Sequence, residues 1–62
     1  MTKVKDIIKV IEADGWQYFK STGGHHHFKH STKKGKVTVP GKGTDDLHPK
    51  TASSILRQAG LK

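Results

Sequence analysis

The chain has 62 residues, of which 31% are hydrophobic, and its 12 lysines and arginines against five acids give a formal net charge of +7. This length predicts one domain, residues 1–62, with a small core, and the lack of cysteine excludes disulfides and thiolate metal sites. No apolar run is long enough to span a membrane and no signal-peptide pattern opens the chain, so we expect a cytoplasmic protein with no membrane partner. The charge favours a polyanionic partner, most often nucleic acid, and a basic surface that only keeps the protein soluble is the alternative.

A first helix is predicted at the start of the sequence. Thr2 can cap it through its hydroxyl, and Gly15 can end it in the left-handed conformation. Its apolar residues recur at helical spacing and predict one buried stripe, made of Val4, Ile7, Ile8 and Ile11. We expect this helix to contribute packing and no chemistry.

An aromatic strand is predicted next, over residues 16–20 (Trp-Gln-Tyr-Phe-Lys). Trp16 at its start has two interpretations. It could be a stacking platform for RNA bases, as in proteins that bind single strands, or it could belong to the core. A single tryptophan directly after a helix in so small a domain favours the core.

The most unusual stretch is residues 23–30, Gly-Gly-His-His-His-Phe-Lys-His, which holds four of the five histidines. The glycine pair predicts a turn and the following residues a strand, in which alternate side chains point to opposite faces. His25, His27 and Lys29 then share one face. The other face holds Phe28, a large apolar residue, and is therefore predicted to be the buried one.

A basic hairpin loop and a third strand follow. The loop is predicted over Ser31–Gly35, with Lys33 and Lys34 exposed at its tip. The strand is predicted over Lys36–Pro40 and ends there because Pro40 has no N–H to give to the sheet.

The segment from Gly41 to Leu47 is predicted to be a loop. Lys42 is the residue in it that we expect to contact an anion. Asp45 and Asp46 are expected to favour the positive end of the next helix. As catalytic carboxylates or metal ligands they are poor candidates, since adjacent loop residues rarely converge on one ion.

A second helix closes the chain. Pro49 suits its first turn, and Gly60 suits a Schellman ending. Its apolar stripe consists of Ala52, Ile55, Leu56 and Ala59. The predicted order is helix, three strands, helix, which indicates an α+β fold: a three-stranded antiparallel sheet with two helices on one face.

The histidines have three competing explanations. Neutral imidazoles bind metals, but a structural zinc site needs about four ligands and no cysteine is present, so we predict no metal site and no cofactor. A histidine on the Phe28 face is more often a hydrogen-bonded core residue, which is our interpretation of His30. A histidine on the open face could perform acid–base chemistry on RNA, whose 2′-OH supplies the nucleophile.

Several short motifs occur in an order that resembles one known family. They are Gly-Gly-His at 23–25, Phe-Lys-His at 28–30, Val-Thr-Val-Pro at 37–40, Asp-Leu at 46–47 and Ser-Ile-Leu-Arg-Gln-Ala-Gly-Leu at 54–61. In this order and at this length, the sequence resembles the HicA toxins of bacterial and archaeal toxin–antitoxin systems over essentially the whole chain.

The resemblance implies a fold like that of the double-stranded-RNA-binding domain and an endoribonuclease that cleaves messenger RNA. Because the site lacks cysteine and has too few plausible metal ligands, we expect this cleavage to be metal-independent. The resemblance also implies a HicB antitoxin that covers the active site, and we expect no DNA binding by the toxin alone. The family's catalytic histidine falls on His25. The serine that usually precedes it is Gly24 here, so a hydroxyl is missing and a looser backbone is expected.

Further roles follow from the residues beside that histidine. His27 is a candidate second proton-transfer group because it shares the face with His25. The candidate RNA contacts are Lys29, Lys33, Lys34 and Lys42. A non-catalytic RNA-binding module that uses the same basic surface is the alternative function.

Overall fold

The computed structural model describes residues 2–61, which form five strands and two helices. In chain order they are β1 (Thr2–Lys3), α1 (Val4–Ala13), β2 (Trp16–Thr22), β3 (His25–His30), β4 (Lys36–Pro40), β5 (Asp46–Leu47) and α2 (Pro49–Gln58). Strands β2, β3 and β4 form an antiparallel sheet in that order, and β1 pairs with β5 in a separate two-stranded ladder. The α+β fold with a three-stranded sheet, like that of the double-stranded-RNA-binding domain, is confirmed.

The core lies between the three-stranded sheet and the two helices. Trp16 and Phe28 are its largest side chains, each 1% exposed. The indole N–H of Trp16 donates a hydrogen bond of 3.2 Å to the carbonyl oxygen of Ala59 at the end of α2. Trp16 is therefore a core residue, as predicted, and not a surface for RNA bases. The other buried hydrophobic residues are Val4, Ile7, Ile11, Val37, Val39, Leu47, Ala52, Ile55 and Ala59.

The start of α1 differs from the prediction. Its N-cap is Lys3, which makes no side-chain cap, and Thr2 lies in β1. The free N–H groups of the first turn are instead satisfied by a loop distant in sequence: Val4 N–H donates to the Asp45 carbonyl at 2.9 Å, and Lys5 N–H to the Gly43 carbonyl at 3.0 Å. The capping prediction failed because backbone carbonyls brought in by the fold replaced the local hydroxyl.

The two adjacent acids also have a different role from the predicted one. Asp46 lies in β5 and forms an ion pair with Lys3 of β1 at 2.9 Å. Asp45 accepts a hydrogen bond of 2.9 Å from the backbone N–H of Lys42. Neither lies in the first turn of α2, so the helix-dipole prediction is wrong. Both carboxylates instead hold the loop that caps α1.

Both ends of α2 are well defined. His48 is its N-cap, and Nδ1 of that ring accepts a hydrogen bond of 3.1 Å from Lys50 N–H. Pro49 is the first helical residue, as predicted. At the other end Gly60 has φ +75°, and Leu61 N–H donates to the Leu56 carbonyl at 2.9 Å, which is the predicted Schellman ending.

Candidate active site

One face of the three-stranded sheet carries the candidate site. Residues directly opposite on paired strands share a face, so the buried Phe28, Val37 and Val39 identify the side covered by the helices. The positions that alternate with these residues along the strands project from the other side, which we call the open face. It consists of Gln17, Phe19, Lys20, Thr22, His25, His27, Lys29, Lys36, Thr38 and Pro40.

A β-bulge in β2 determines which of its residues reach the open face. Tyr18 lies opposite Phe28 and Lys20 lies opposite His27, so the register shifts by one residue at Phe19. In an unbroken strand, Lys20 would lie on the Tyr18 side, towards the helices. The bulge moves Lys20 to the open face, directly beside His27.

His25 is exposed at one end of the open face. It is the first residue of β3 and lies between Thr22 of β2 and Pro40 of β4. A two-residue turn precedes it, with φ +54° at Gly23 and +82° at Gly24, as a type I′ hairpin turn requires. The turn places the imidazole at the end of the sheet, where RNA could approach it from solvent.

Glycine at position 24 suits the conformation of this turn. L residues with side chains rarely adopt φ +82°, so a serine at Gly24 would be strained in this turn although the space around it is open. The Gly24 carbonyl accepts a hydrogen bond of 3.0 Å from Gly41 N–H. His26, on the helix side, donates from Nε2 to the Gly41 carbonyl at 2.9 Å. These two bonds fix the end of the sheet that carries His25.

His27 lies two residues further along the same face and is half-buried there. Its Nδ1 is 3.3 Å from Thr38 Oγ1, and its ring centroid is 6.1 Å from that of Phe19. Burial lowers the pKa of His27, and the nearby ammonium groups of Lys36 and Lys20 lower it further. The lowered pKa favours the neutral imidazole, which is the form that can accept a proton.

The sheet is also free of negative charge. None of the five acids lies in β2, β3 or β4. Asp6, Glu12 and Asp14 belong to α1 and its end, Asp45 to the loop after β4, and Asp46 to β5. Lys20, Lys29 and Lys36 all project from the open face. The imidazoles therefore lie in a field of positive charge, which suits a phosphate.

The predicted lysines do not all lie together. Lys29 belongs to the open face, and Lys42 is exposed just after Gly41, at the His25 end of the sheet. Lys34 is exposed in the hairpin loop at the opposite end of β3. Lys33 was predicted to be exposed beside it, and this is wrong: Lys33 is half-buried.

Lys33 is held on the helix side of the sheet. Its ammonium donates to the Asp14 carboxylate and, at 3.0 Å, to the Ala59 carbonyl at the end of α2. Hydrogen bonding to Lys33 lowers the pKa of Asp14. The position of Lys33 depends on the C-terminal ends of α1 and α2 meeting beside the loop, which local sequence patterns do not predict.

Sequence reasoning missed three candidate functional residues of the open face: Phe19, Lys20 and Lys36. Alternation from the buried Trp16 would have placed Phe19 there. Lys36 opens a strand whose next residue, Val37, is buried, so the same reasoning applies to it. Lys20 could not have been found in this way because the bulge reverses its side.

The described part of the chain sets some limits on other kinds of site. Residues 2–61 bring no three or more histidine or acidic side chains into positions that could hold a metal ion. They enclose no pocket, so the candidate site is an open surface. Neither α1 nor α2 is long and apolar enough to cross a membrane.

Comparison with known proteins identifies the family. The model of the HicA toxins of bacterial toxin–antitoxin systems matches residues 4–61, which is nearly the whole chain. No curated protein matches the chain. The matched region contains both helices, all three strands of the larger sheet and every histidine. The chain therefore belongs to the HicA toxin family and is the toxin component of a toxin–antitoxin system.

Proposed function

We propose that this toxin is an endoribonuclease that cleaves messenger RNA by histidine acid–base catalysis without a metal ion. The observation that carries the proposal is the arrangement of His25 and His27 on an exposed face with three lysines and no acid. Cleavage of RNA through its 2′-OH needs groups that move protons and cations that stabilise the phosphorane. The open face supplies both.

The proposed step is an internal transesterification. The 2′-oxygen attacks the adjacent phosphorus, and the bond between phosphorus and the 5′-oxygen of the next nucleotide breaks. A base takes the proton of the 2′-OH, and an acid gives a proton to the departing 5′-oxygen. The products are a 2′,3′-cyclic phosphate and a 5′-hydroxyl, so the atoms balance without a metal ion or a protein nucleophile.

His25 is the principal proton-transfer group in this proposal, as base or as acid. It is exposed at the end of the sheet, where a phosphate can reach it. His27 is the candidate for the complementary role, because side chains two residues apart on a strand are roughly 7 Å apart on one face. Its lowered pKa suits it to accept the proton from the 2′-OH.

Lysines around the histidines would hold the RNA backbone. Lys29 and the neighbouring Lys20 and Lys36 are closest to the imidazoles in the register, and Lys42 follows the turn that anchors the His25 end. Lys34 could extend the contact beyond the other end of β3. A contact with Lys33 would require its ion pair with Asp14 to open.

The proposed partner is a HicB-type antitoxin that neutralises the toxin by covering the open face. A flat, cationic surface is complementary to an acidic protein segment as well as to RNA. Antitoxin and RNA would then compete for the same lysines. The toxin would be active only when this face is free.

The decisive experiment is incubation of the purified chain with a single-stranded messenger RNA fragment, followed by analysis of the new ends. Cyclic phosphate at the 3′ ends of the fragments is the expected product. A matched control is His48→Asn, which removes an imidazole remote from the open face and retains a side-chain acceptor for the α2 N-cap. RNA that is bound but never cut would refute the enzyme and favour the non-catalytic RNA-binding module.

A further inference from the structure

Phe19 lies on the open face and has no evident packing role. Its side chain is 38% exposed, and it belongs neither to the buried core nor to the hydrophobic residues packed against that core. Trp16 and Phe28, by contrast, are almost fully buried. Single exposed hydrophobic residues are common on protein surfaces, so the case for Phe19 rests on its neighbours on the open face and not on its exposure.

The surroundings of the Phe19 ring are cationic and polar. The Lys29 ammonium is 4.8 Å from the ring centroid and the Lys20 ammonium is 5.7 Å from it. The His27 ring is 6.1 Å away, tilted by 48°. The ring is therefore a neighbour both of the candidate proton-transfer group and of two of the lysines that would hold phosphate.

The bulge creates this combination. Phe19 and Lys20 are consecutive, and in a regular strand their side chains would point to opposite faces. With the register shifted at Phe19, both contact the same face, and Lys20 lies opposite His27. An aromatic surface and a cation are thereby placed side by side from adjacent residues.

We propose that Phe19 is a stacking platform for one nucleotide base of the RNA, next to the phosphate that is cleaved; this rests on the proposed ribonuclease function. A base on the Phe19 ring would bring its phosphate towards Lys20 and Lys29. The backbone would then run along the open face to His27 and His25. Phe19 is a positioning residue here, because it moves no proton.

This role specifies the form of RNA that the toxin binds. A base within a double helix has neighbours on both of its flat sides, so it offers no free face to an aromatic side chain. Single-stranded bases stack on exposed aromatics with little regard to sequence. The toxin therefore prefers single-stranded RNA, and duplex RNA is held only by its phosphates.

The test compares Phe19→Leu and Phe19→Trp in the full chain. Leucine keeps an apolar side chain without a flat ring, and tryptophan keeps the ring. The probes are a fluorescein-labelled single strand of 2′-O-methyl RNA, which lacks the attacking hydroxyl, the same strand in a duplex, and an abasic strand of equal length. Affinities are measured by fluorescence anisotropy, and thermal unfolding confirms that each variant is folded.

Phe19→Leu is expected to bind the single strand on the order of 10-fold more weakly, whereas Phe19→Trp binds it like the parent. Both variants are expected to bind the duplex and the abasic strand like the parent. If Phe19→Leu binds the single strand like the parent, the inference is overturned and the ring becomes a candidate contact for a protein partner. Equal weakening on the abasic strand would also overturn it, because the ring would then act on the backbone.

The test of Phe19 and the test of the ribonuclease proposal give results that can be told apart. If the parent never cuts unmodified RNA but the stacking pattern is seen, the enzyme is wrong and the base-binding role stands. If the parent cuts RNA and Phe19→Leu binds and cuts like the parent, the enzyme stands and the role of Phe19 is wrong.

Discussion

His30 joins the end of α1 to the hairpin loop after β3 through both nitrogens of its ring. Its Nε2 donates to the Asp14 carbonyl at 2.7 Å, and its Nδ1 accepts from the backbone N–H groups of Thr32 at 3.0 Å and Lys33 at 3.1 Å. These partners fix the neutral tautomer with the proton on Nε2, because a carbonyl cannot donate and an N–H cannot accept. The prediction that His30 is a hydrogen-bonded core residue is confirmed for the hydrogen bonds, whereas the residue is half-buried at the margin of the core.

The first prediction is that His30→Ala destabilises the fold. The substitution leaves one carbonyl and two N–H groups without their partner and opens a space beside Trp16, whose ring centroid is 5.2 Å from that of His30. A cost of about 1–3 kcal/mol in the free energy of unfolding is expected. Thermal or urea unfolding measures it, and His25→Ala is the control. Equal stability of the two variants would contradict the anchoring role.

The second prediction concerns the charge of the open face. RNA binding to a cationic surface releases counterions, so the logarithm of the affinity falls linearly with the logarithm of the salt concentration. For single strands, the magnitude of this slope is about 0.7 per phosphate contact. Affinity is therefore expected to fall steeply between roughly 50 and 200 mM salt, and Lys29→Ala is expected to reduce the slope by about 0.7. Titrations of a labelled RNA measure this.

The matched control for that prediction is Lys9→Ala. Lys9 is exposed on α1, on the helix side of the molecule, so its removal changes the net charge equally without altering the open face. Its slope is expected to stay close to that of the parent. If the two variants give the same slope, net charge and not the open face governs binding.

The third prediction concerns metal ions. In the proposed mechanism the 2′-OH of RNA is the nucleophile and histidines carry the protons, so cleavage is expected to continue at the parent rate in excess EDTA. The check is a time course of RNA cleavage with and without chelator. Loss of cleavage that is restored by zinc or magnesium would refute the acid–base mechanism.

The fourth prediction concerns the pH dependence of stability at His27. The pKa of His27 is lowered in the folded chain from an unfolded value of 6.5. As the pH falls below 6.5, the unfolded chain therefore binds more protons at this residue than the folded chain does. Stability is therefore fully present above 6.5 and falls as the pH drops towards the folded pKa. His27→Gln removes this loss.

The measurement is thermal unfolding of parent and His27→Gln roughly one pH unit above and one below 6.5. The parent is expected to lose more stability than the variant over this range. The difference between the two chains isolates His27 from the other histidines. An equal loss in both would mean that the environment of the ring does not lower its pKa.

The sequence predicted the two helices and the buried face of β3 because these features depend on local periodicity. Apolar residues at helical spacing identified both helices, and Phe28 within an alternating strand identified its buried face. Gly15 was predicted to end α1, and its φ of +108° agrees. The structure adds a second reason for this glycine, since a Cβ there would lie 2.7 Å from His30 Nε2.

What the sequence did not predict depends on contacts between distant segments. The loop that caps α1 and the ion pair of Lys3 with Asp46 join residues 38 to 43 positions apart. The bulge at Phe19 is likewise invisible to alternation, although it decides that Lys20 lies beside His27. The candidate histidines could thus be predicted, whereas part of their surroundings could not.

The last prediction concerns His25, which the proposal makes the principal proton-transfer group. His25→Ala is expected to reduce RNA cleavage by roughly a hundred- to ten-thousand-fold, the usual contribution of a general acid or base. Folding is expected to be nearly unaffected, because the side chain is exposed. RNA binding is also expected to persist, since one imidazole adds little to a field of seven net charges.

Cleavage rate, RNA affinity and thermal unfolding are measured for the variant, with His48→Asn as the control that removes an imidazole elsewhere. If His25→Ala remains folded and cuts RNA at the parent rate, the catalytic residue lies elsewhere on the open face, and His27 is the next residue to replace.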